Sequence, residues 1–295
     1  MYHTLDLHFQ NYEHAIASFL IETDDGPVLI ESGPYSTFPS LEKGLADHGY
    51  KVSDVKHVLL SHIHFDHAGA AWALAEKGAK IYLHPFGHDH MHDPTKLVAS
   101  ATMIYGDQMD TLWGKMDGIP KKNLKVVNHE EVIEIGGQSF RALHTPGHAK
   151  HHIAWHWKDT IFTGDVAGVK IDGGPVVPPC PPPDINLEDW LHSIDLVLGK
   201  NPNRLVLTHF GEEINPNIHM MELKEILSDW SQWIKQKWEE GLSNDDITPL
   251  FMNYTANQLK DRGVSDTGVK QYEAANPSWM SVAGLVRYWK KKQGA

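Results

Sequence analysis

An α/β chain folded as an αββα sandwich, with a C-terminal helical extension, is predicted by three features of the sequence. Strand-like apolar runs cluster over residues 15–83 and again over 126–210, and each cluster ends in a helix-patterned stretch. Two such sheets bury their inner faces against each other and cover their outer faces with helices. After residue 211 the composition shifts to longer helical patterns. The expected organisation is a sandwich over 1–210 and an extension over 211–295 packing on it.

The elements are expected in the following order. Residues 15–31 read as a hairpin: 15–22 alternate loosely, Asp24-Asp25-Gly26 turns, and Val28-Leu29-Ile30 returns. Residues 38–49 suit a short helix closed by Gly49. Residues 55–60 are a buried strand, and the Ala-rich stretch 68–77 is a helix with Asp66 near its start. Ile81-Tyr82-Leu83 is the next strand. Residues 84–122, rich in His, Asp and Met, fit an excursion over one face or a helical insert. Residues 126–140 suggest two strands around Gly136-Gly137, and 152–157 pairs with 160–163 through a Lys158-Asp159 turn. Residues 187–198 carry apolar positions at helical spacing behind an Asn186 cap, and 205–208 is the last core strand. Helices at 220–240, 247–262, 266–275 and 278–292 complete the chain.

The chain has 295 residues, enough for one large domain or one domain with an extension. No apolar run approaches a membrane span, and the first residues lack a basic segment followed by an apolar one. Cys180 is the only cysteine, so no internal disulfide forms and the cytoplasm is the default compartment. Net charge is −12, with no long basic cluster beyond Lys290-Lys291-Lys292. This argues against nucleic acid as substrate, because phosphate tracking needs a basic stripe. The expected partner is a small molecule, with a homodimer left open.

Residues 61–67 read Ser-His-Ile-His-Phe-Asp-His. Four metal-competent side chains within six residues can hardly all serve one ion; the spacing suits a two-metal site in which His62 and His64 turn to one metal while Asp66 and His67 turn to another. Histidine is abundant, 21 of 295, so a dense motif alone carries a chance risk. Three further ligand types remove most of it. His148 in His-Thr-Pro-Gly-His, Asp165 in Ile-Phe-Thr-Gly-Asp and His209 in Leu-Val-Leu-Thr-His each close a strand-like run. Open sheets place their chemistry at strand ends.

With these motifs in this order, the chain resembles the metallo-β-lactamase superfamily, in the branch with glyoxalase II and lactonase-like hydrolases. The resemblance covers residues 15 to about 210 and implies a metallo-β-lactamase-like sandwich. It implies a first metal held by His62, His64 and His148, a second by Asp66, His67 and His209, and Asp165 bridging the two. Two zinc ions per chain are expected, with iron or manganese as alternatives. One departure is visible: Glu31-Ser32-Gly33 stands where the family often has Asp-Thr-Gly, a position that usually supports ligands. Many acyl-homoserine lactonases carry a tyrosine three residues after the bridging aspartate; Gly168 in that place weakens a strict quorum-quenching assignment.

A metal pair about 3.5–4 Å apart can hold a bridging hydroxide and polarise a carbonyl. The expected function is therefore hydrolysis of a small ester, thioester or lactone, with Asp66 and Asp165 as catalytic carboxylates. The alternatives are a mononuclear iron oxidoreductase of the persulfide dioxygenase kind and a phosphodiesterase. Tyr35, Phe38, Phe86, Tyr105 and Phe210 are the expected pocket walls, joined by Met103, Val169 and the proline run. The second cluster, His84, His88, His90 and His92, lacks strand-end anchoring and is read as structural. His151 and His152, close behind the Pro-Gly-His turn, are read as structural, with a supporting hydrogen bond from one of them as the alternative. Cys180, set among prolines, is read as structural.

Overall fold

The computed structural model describes residues 1–294. Two six-stranded mixed sheets face each other. The first runs, in spatial order, β1 (Tyr2–Asp6), β2 (Ala17–Thr23), β3 (Gly26–Ile30), β4 (His57–Leu59), β5 (Lys80–Leu83) and β6 (Leu124–Val126). The second runs from β7 (Val132–Ile135) through β8 (Gln138–His144), β9 (Ile153–Trp157), β10 (Thr160–Gly164) and β11 (Arg204–Leu207) to β12 (Gly211–Glu213). β3 to β6 pair in parallel, as do β10 and β11; the remaining pairs are antiparallel.

Period-two alternation assigns each strand residue to a layer. Phe19, Ile30, Phe140, Trp155, Phe162 and Val206 meet between the sheets. Their neighbours face outward. Leu20, Leu29 and Val58 pack under Leu41, Leu45 and Leu74 on one side. On the other, Ala154, Ile161 and Leu205 pack under Trp190, Ile194 and Leu223. The helices of the first side are α1 (Phe38–Asp47), α2 (Phe65–Ala68), α3 (Ala71–Glu76), α4 (Pro85–His92), α5 (Thr95–Tyr105) and α6 (Met109–Leu112). Covering the second are α7 (Leu187–Leu198), α8 (Pro216–Glu239), α9 (Asn244–Asp261), α10 (Asp266–Ala275) and α11 (Ser278–Gln293). Asn186 does cap α7, its Oδ1 accepting from the Asp189 amide at 3.1 Å.

The structure departs from the sequence expectations in four places. β1 was not anticipated; its Tyr-His-Thr-Leu-Asp sequence is polar because it is an edge strand. β6 joins the first sheet, not the second half of the sandwich. β12 carries the second sheet past residue 210, to Glu213. Residues 84–122, by contrast, take one of their two expected forms, a helical insert. The helix expected over 68–77 is split into α2 and α3 around Gly69-Ala70. A Cβ at Gly69 would stand 2.5 Å from the Phe65 carbonyl and 3.0 Å from Pro34 Cα, so the chain bends where backbone touches backbone.

The extension reaches back to the sandwich. Tyr272 donates its hydroxyl to the Pro175 carbonyl at 2.8 Å, and Asn276 Nδ2 donates to the Pro178 carbonyl at 3.2 Å. Trp289 Nε1 ties α11 to α8 through the Ser231 carbonyl at 3.0 Å. No helix among the described residues is long and apolar enough to cross a membrane.

Candidate metal centre

All seven sequence-predicted ligand residues converge at one end of the sandwich, each delivered from a strand's C-terminal side. His62 and His64 lie in the loop after β4, and Asp66 and His67 on α2 behind it. His148 follows β8, Asp165 directly follows β10, and His209 lies just past β11. The side chains sort into two sets of ligand atoms, His62, His64 and His148 in one, and Asp66, His67, Asp165 and His209 in the other.

In the first set three imidazole nitrogens form a triangle. His62 Nε2 is 2.9 Å from His64 Nδ1 and 3.2 Å from His148 Nε2, and the third side is 3.0 Å. His148 Nδ1 faces the Pro179 carbonyl at 2.9 Å, so that nitrogen carries the proton and Nε2 presents a lone pair. A cation at the centre satisfies all three nitrogens at once. In the second set the same logic holds twice. His209 Nδ1 donates to the Ala15 carbonyl at 2.7 Å, and His67 Nδ1 to Glu31 Oε1 at 3.2 Å. Their Nε2 lone pairs then face carboxylate oxygens. Asp66 Oδ2 lies 3.4 Å from each, and Asp165 Oδ1 lies 3.2 Å from His67 and 3.4 Å from His209. His67 Nε2 and Asp165 Oδ1 are both buried without a hydrogen-bond partner. Acceptors held against acceptors in a buried site are what a metal ion relieves, and the residues fit such an ion. Asp165 spans the two sets, because its Oδ2 stands 3.2 Å from His148 Nε2.

The electrostatics agree. Burial, aided by neighbouring imidazoles, holds His62 well below the ordinary histidine value and takes His64 down to about 4. Burial lowers His148 as well. All three are neutral near pH 7, the form that ligates metal. Burial pulls His67 and His209 the same way, but Asp165 and Asp66 reverse the sign and lift both. Burial opposes ionisation of Asp66 and Asp165, yet the facing imidazoles, His67 first, hold both below the usual carboxylate range. The second set therefore attracts positive charge.

Supporting contacts orient these ligands. His152 accepts from the Asp165 amide through Nε2 at 3.1 Å and lies 2.7 Å from Thr145 Oγ1 through Nδ1. Of the adjacent histidines it is the one that braces a ligand; His151 borders the cavity. Glu31 is fully buried at φ +65° and accepts from two donors, His67 Nδ1 and the Ser61 amide, each at 3.2 Å. The departure at Glu31-Ser32-Gly33 thus leaves a carboxylate on His67, and Ser32 Oγ adds a bond to the His67 carbonyl at 3.0 Å. Glu31→Gln puts an amide NH₂ against one of those two donors. Metal affinity is expected to fall by about 10–100-fold, measured by chelator competition. Unchanged affinity would mean that Glu31 only fills space.

A cavity of about 740 Å³ opens onto the centre, and His64, Asp66, His148 and Asp165 lie in its lining. Asp66 is the ligand carboxylate most open to it, its side chain 19% exposed against 3% for Asp165. Tyr105 lines the cavity as expected, together with Pro179 and the prolines after Cys180. Tyr35, Phe38, Phe86 and Phe210 do not. Tyr35 packs on Trp72 and Phe38, with centroids 4.8 and 5.4 Å away, under the outer helices. Phe86 is exposed beside His84, and Phe210 stacks on His14 at 4.5 Å. Neither Met103, which is exposed, nor Val169 lines it. The sequence reading missed Phe9, Trp113, Trp279 and Met280, which do line it. No local pattern marks them, since they come together only through the fold. The cluster at 84–92 does not converge: His84 caps α4, His88 pairs with Asp89, and His92 meets the Ile119 carbonyl. Cys180 is buried, which raises its thiol pKa and leaves it a packing residue.

A buried His/Asp ligand set at the strand ends of an αββα sandwich defines a class of metalloprotein. The chain belongs to the metallo-β-lactamase superfamily, whose family model matches residues 12–209. The metallo-β-lactamase fold-containing protein ST1585 of Sulfurisphaera tokodaii is 29% identical over 210 residues, covering 68% of this chain and 74% of that protein. Its crystal structure aligns at TM-score 0.64 and 25% identity over 77% of this chain and 86% of that one. The metallo-β-lactamase family protein TTHA1429 of Thermus thermophilus shares the fold at TM-score 0.68 and 20% identity, over 100% of this chain and 94% of that one. An atrochrysone carboxyl ACP thioesterase of Pseudocercospora fijiensis is 27% identical over 127 residues, covering 42% of this chain and 28% of the relative.

Proposed function

We propose that the protein is a metal-dependent hydrolase that cleaves the acyl C–O or C–S bond of an ester, thioester or lactone, with a pair of first-row metal ions, zinc first, in the two ligand sets. The observation that carries this reading is the placement of Asp165, whose two oxygens each lie 3.2 Å from a histidine of a different set. Imidazole and carboxylate without thiolate suit zinc, and the lone cysteine is buried outside both sets. Bound ions of this kind lower the pKa of water and polarise a carbonyl.

The remaining work falls to this chain's own groups. Three imidazoles fixed as neutral ligands hold one side of the site, and Glu31 and the Ala15 carbonyl set the tautomers on the other. Asp66, facing the cavity, can carry the water proton to the departing oxygen or sulfur as the acyl bond breaks. Hydrolysis then adds one water across one C–O or C–S bond, with no covalent enzyme intermediate. The superfamily consists mostly of hydrolytic metalloenzymes, and a thioesterase is among the relatives, which supports the carbonyl reading.

The test is elemental analysis of reconstituted protein, followed by lactone, thioester and phosphodiester assays on the same sample. Two metals per chain and a carbonyl preference are expected. A ceiling of one metal, iron alone, would point instead to the oxidoreductase. Phosphodiesters ahead by more than about tenfold in kcat/KM, about 1.4 kcal/mol, would overturn the carbonyl assignment.

A further inference from the structure

The cavity is much larger and more apolar than a small lactone needs. At about 740 Å³ it falls in the range of pockets that enclose drug-sized ligands. The metal centre lies in its lining, and polar side chains such as Gln10, Gln108, Asp184 and Glu273 also border it. Elsewhere four separate segments contribute a continuous aromatic wall. Phe9 of the N-terminal loop stacks on Trp113 at 5.4 Å, Trp113 meets Tyr105 edge-on at 5.2 Å, and Tyr105 meets Trp279 of α11 at 5.6 Å. The Tyr105 hydroxyl, 3.1 Å from Met280 Sδ, closes the seam between the helical insert and the extension. Leu97, Ala101 and Ile104 continue the wall along one side of α5 at helical spacing. The lining lysines, Lys96 and Lys270, are exposed.

Aromatic residues packed only on one another would be ordinary core. These border open space instead, and the same space touches Asp66 and Asp165. A short acyl group at the metals would leave the open parts of this wall, on Tyr105, Trp279 and Ile104 above all, without an apolar partner. We propose that the substrate carries a long or bulky apolar acyl portion, of about eight carbons or more, lying against this wall while its carbonyl reaches the metal centre. The inference rests on the carbonyl-hydrolase reading for the reaction, but the wall itself is independent of it.

Two experiments separate the inference from the reading beneath it. The first measures kcat/KM for straight-chain acyl p-nitrophenyl esters and matching thioesters from two to twelve carbons, with zinc-loaded protein. Burial of one methylene stabilises by about 0.8 kcal/mol, so each added carbon should raise kcat/KM by up to about fourfold, and ten carbons should exceed four by at least about a hundredfold. Ala101→Phe, which narrows the cavity, should cut that ratio at least about tenfold, and Trp279→Leu should change it too. A profile that is flat or highest at two to four carbons, or ratios unmoved in both folded variants, overturns the inference. The second measures binding of 1-decanol against 1-butanol to metal-free protein by displacement of an apolar fluorescent dye. Decanol is expected to bind at least about a hundredfold tighter. Such binding with no ester or thioester cleaved at any length would keep the apolar site and reject the carbonyl reading. Equal binding of the two alcohols would reject the apolar site.

Discussion

Replacing Asp165 with alanine is expected to lower kcat/KM for the best carbonyl substrate by about a thousandfold or more, a loss of about 4 kcal/mol in transition-state stabilisation. The reason is positional. Asp165 Oδ1 faces His67 and His209, while Oδ2 faces His148, so one side chain holds the two ligand sets in register. Its amide is itself fixed by His152, which leaves the carboxylate little freedom to serve one set alone. Removal would leave the Nε2 atoms of His67 and His148 facing an empty volume, in a site too buried for bulk water to replace the lost charge. His84→Ala is the matched comparison. His84 caps α4 and stacks on His144 at 4.1 Å, and it belongs to neither ligand set. Its loss is expected to change kcat/KM by no more than about threefold. Both variants are to be assayed at equal metal occupancy, and comparable losses would show that Asp165 does not couple the sets.

The candidate ligands were legible because their signal is local. Four of them sit within six residues, and the other three each close a strand run, so sequence order and strand ends suffice to collect them. The sandwich was legible for a similar reason, since its apolar strand runs gather in two clusters, each closed by a helix-patterned stretch. Shorter or more polar strands escaped. β6 and β12 are as short as β4 but lack its apolar flanks, since each exposes or charges most of its three residues, and they are recognised only by their neighbours. The pocket walls escaped for a different reason. Tyr35 and Phe38 follow the supporting Glu31 loop in sequence, yet the chain turns there into the outer helical layer. Tyr105 and Met280 stand 175 positions apart, and only the docking of the extension on the insert makes them neighbours.

The same extension also packs Gly284 tightly against the sandwich. Gly284 lies in α11 against the proline run, and a Cβ there would stand 1.9 Å from the Cys180 carbonyl oxygen. Both contacting groups are constrained: helix backbone on one side, and on the other a segment flanked by prolines and tied at Pro178 by Asn276 Nδ2. The next residue of that segment, Pro179, offers the carbonyl that fixes His148 in the tautomer presenting Nε2. An added methyl group must push α11 and the proline run apart, and the displacement arrives at a ligand. Gly284→Ala is therefore expected to lower unfolding free energy by about 1–3 kcal/mol, as overpacking does. It should also weaken zinc binding by about 10–100-fold, the usual effect of losing a ligand's supporting partner. Lys290→Ala, an exposed change on the same helix, should do neither. Denaturant titration and chelator competition read the two effects separately. A Gly284→Ala protein less stable than wild type but with unchanged zinc affinity would mean that the proline run gives way without moving Pro179. The extension would then contribute to the fold and the cavity but not to the orientation of His148.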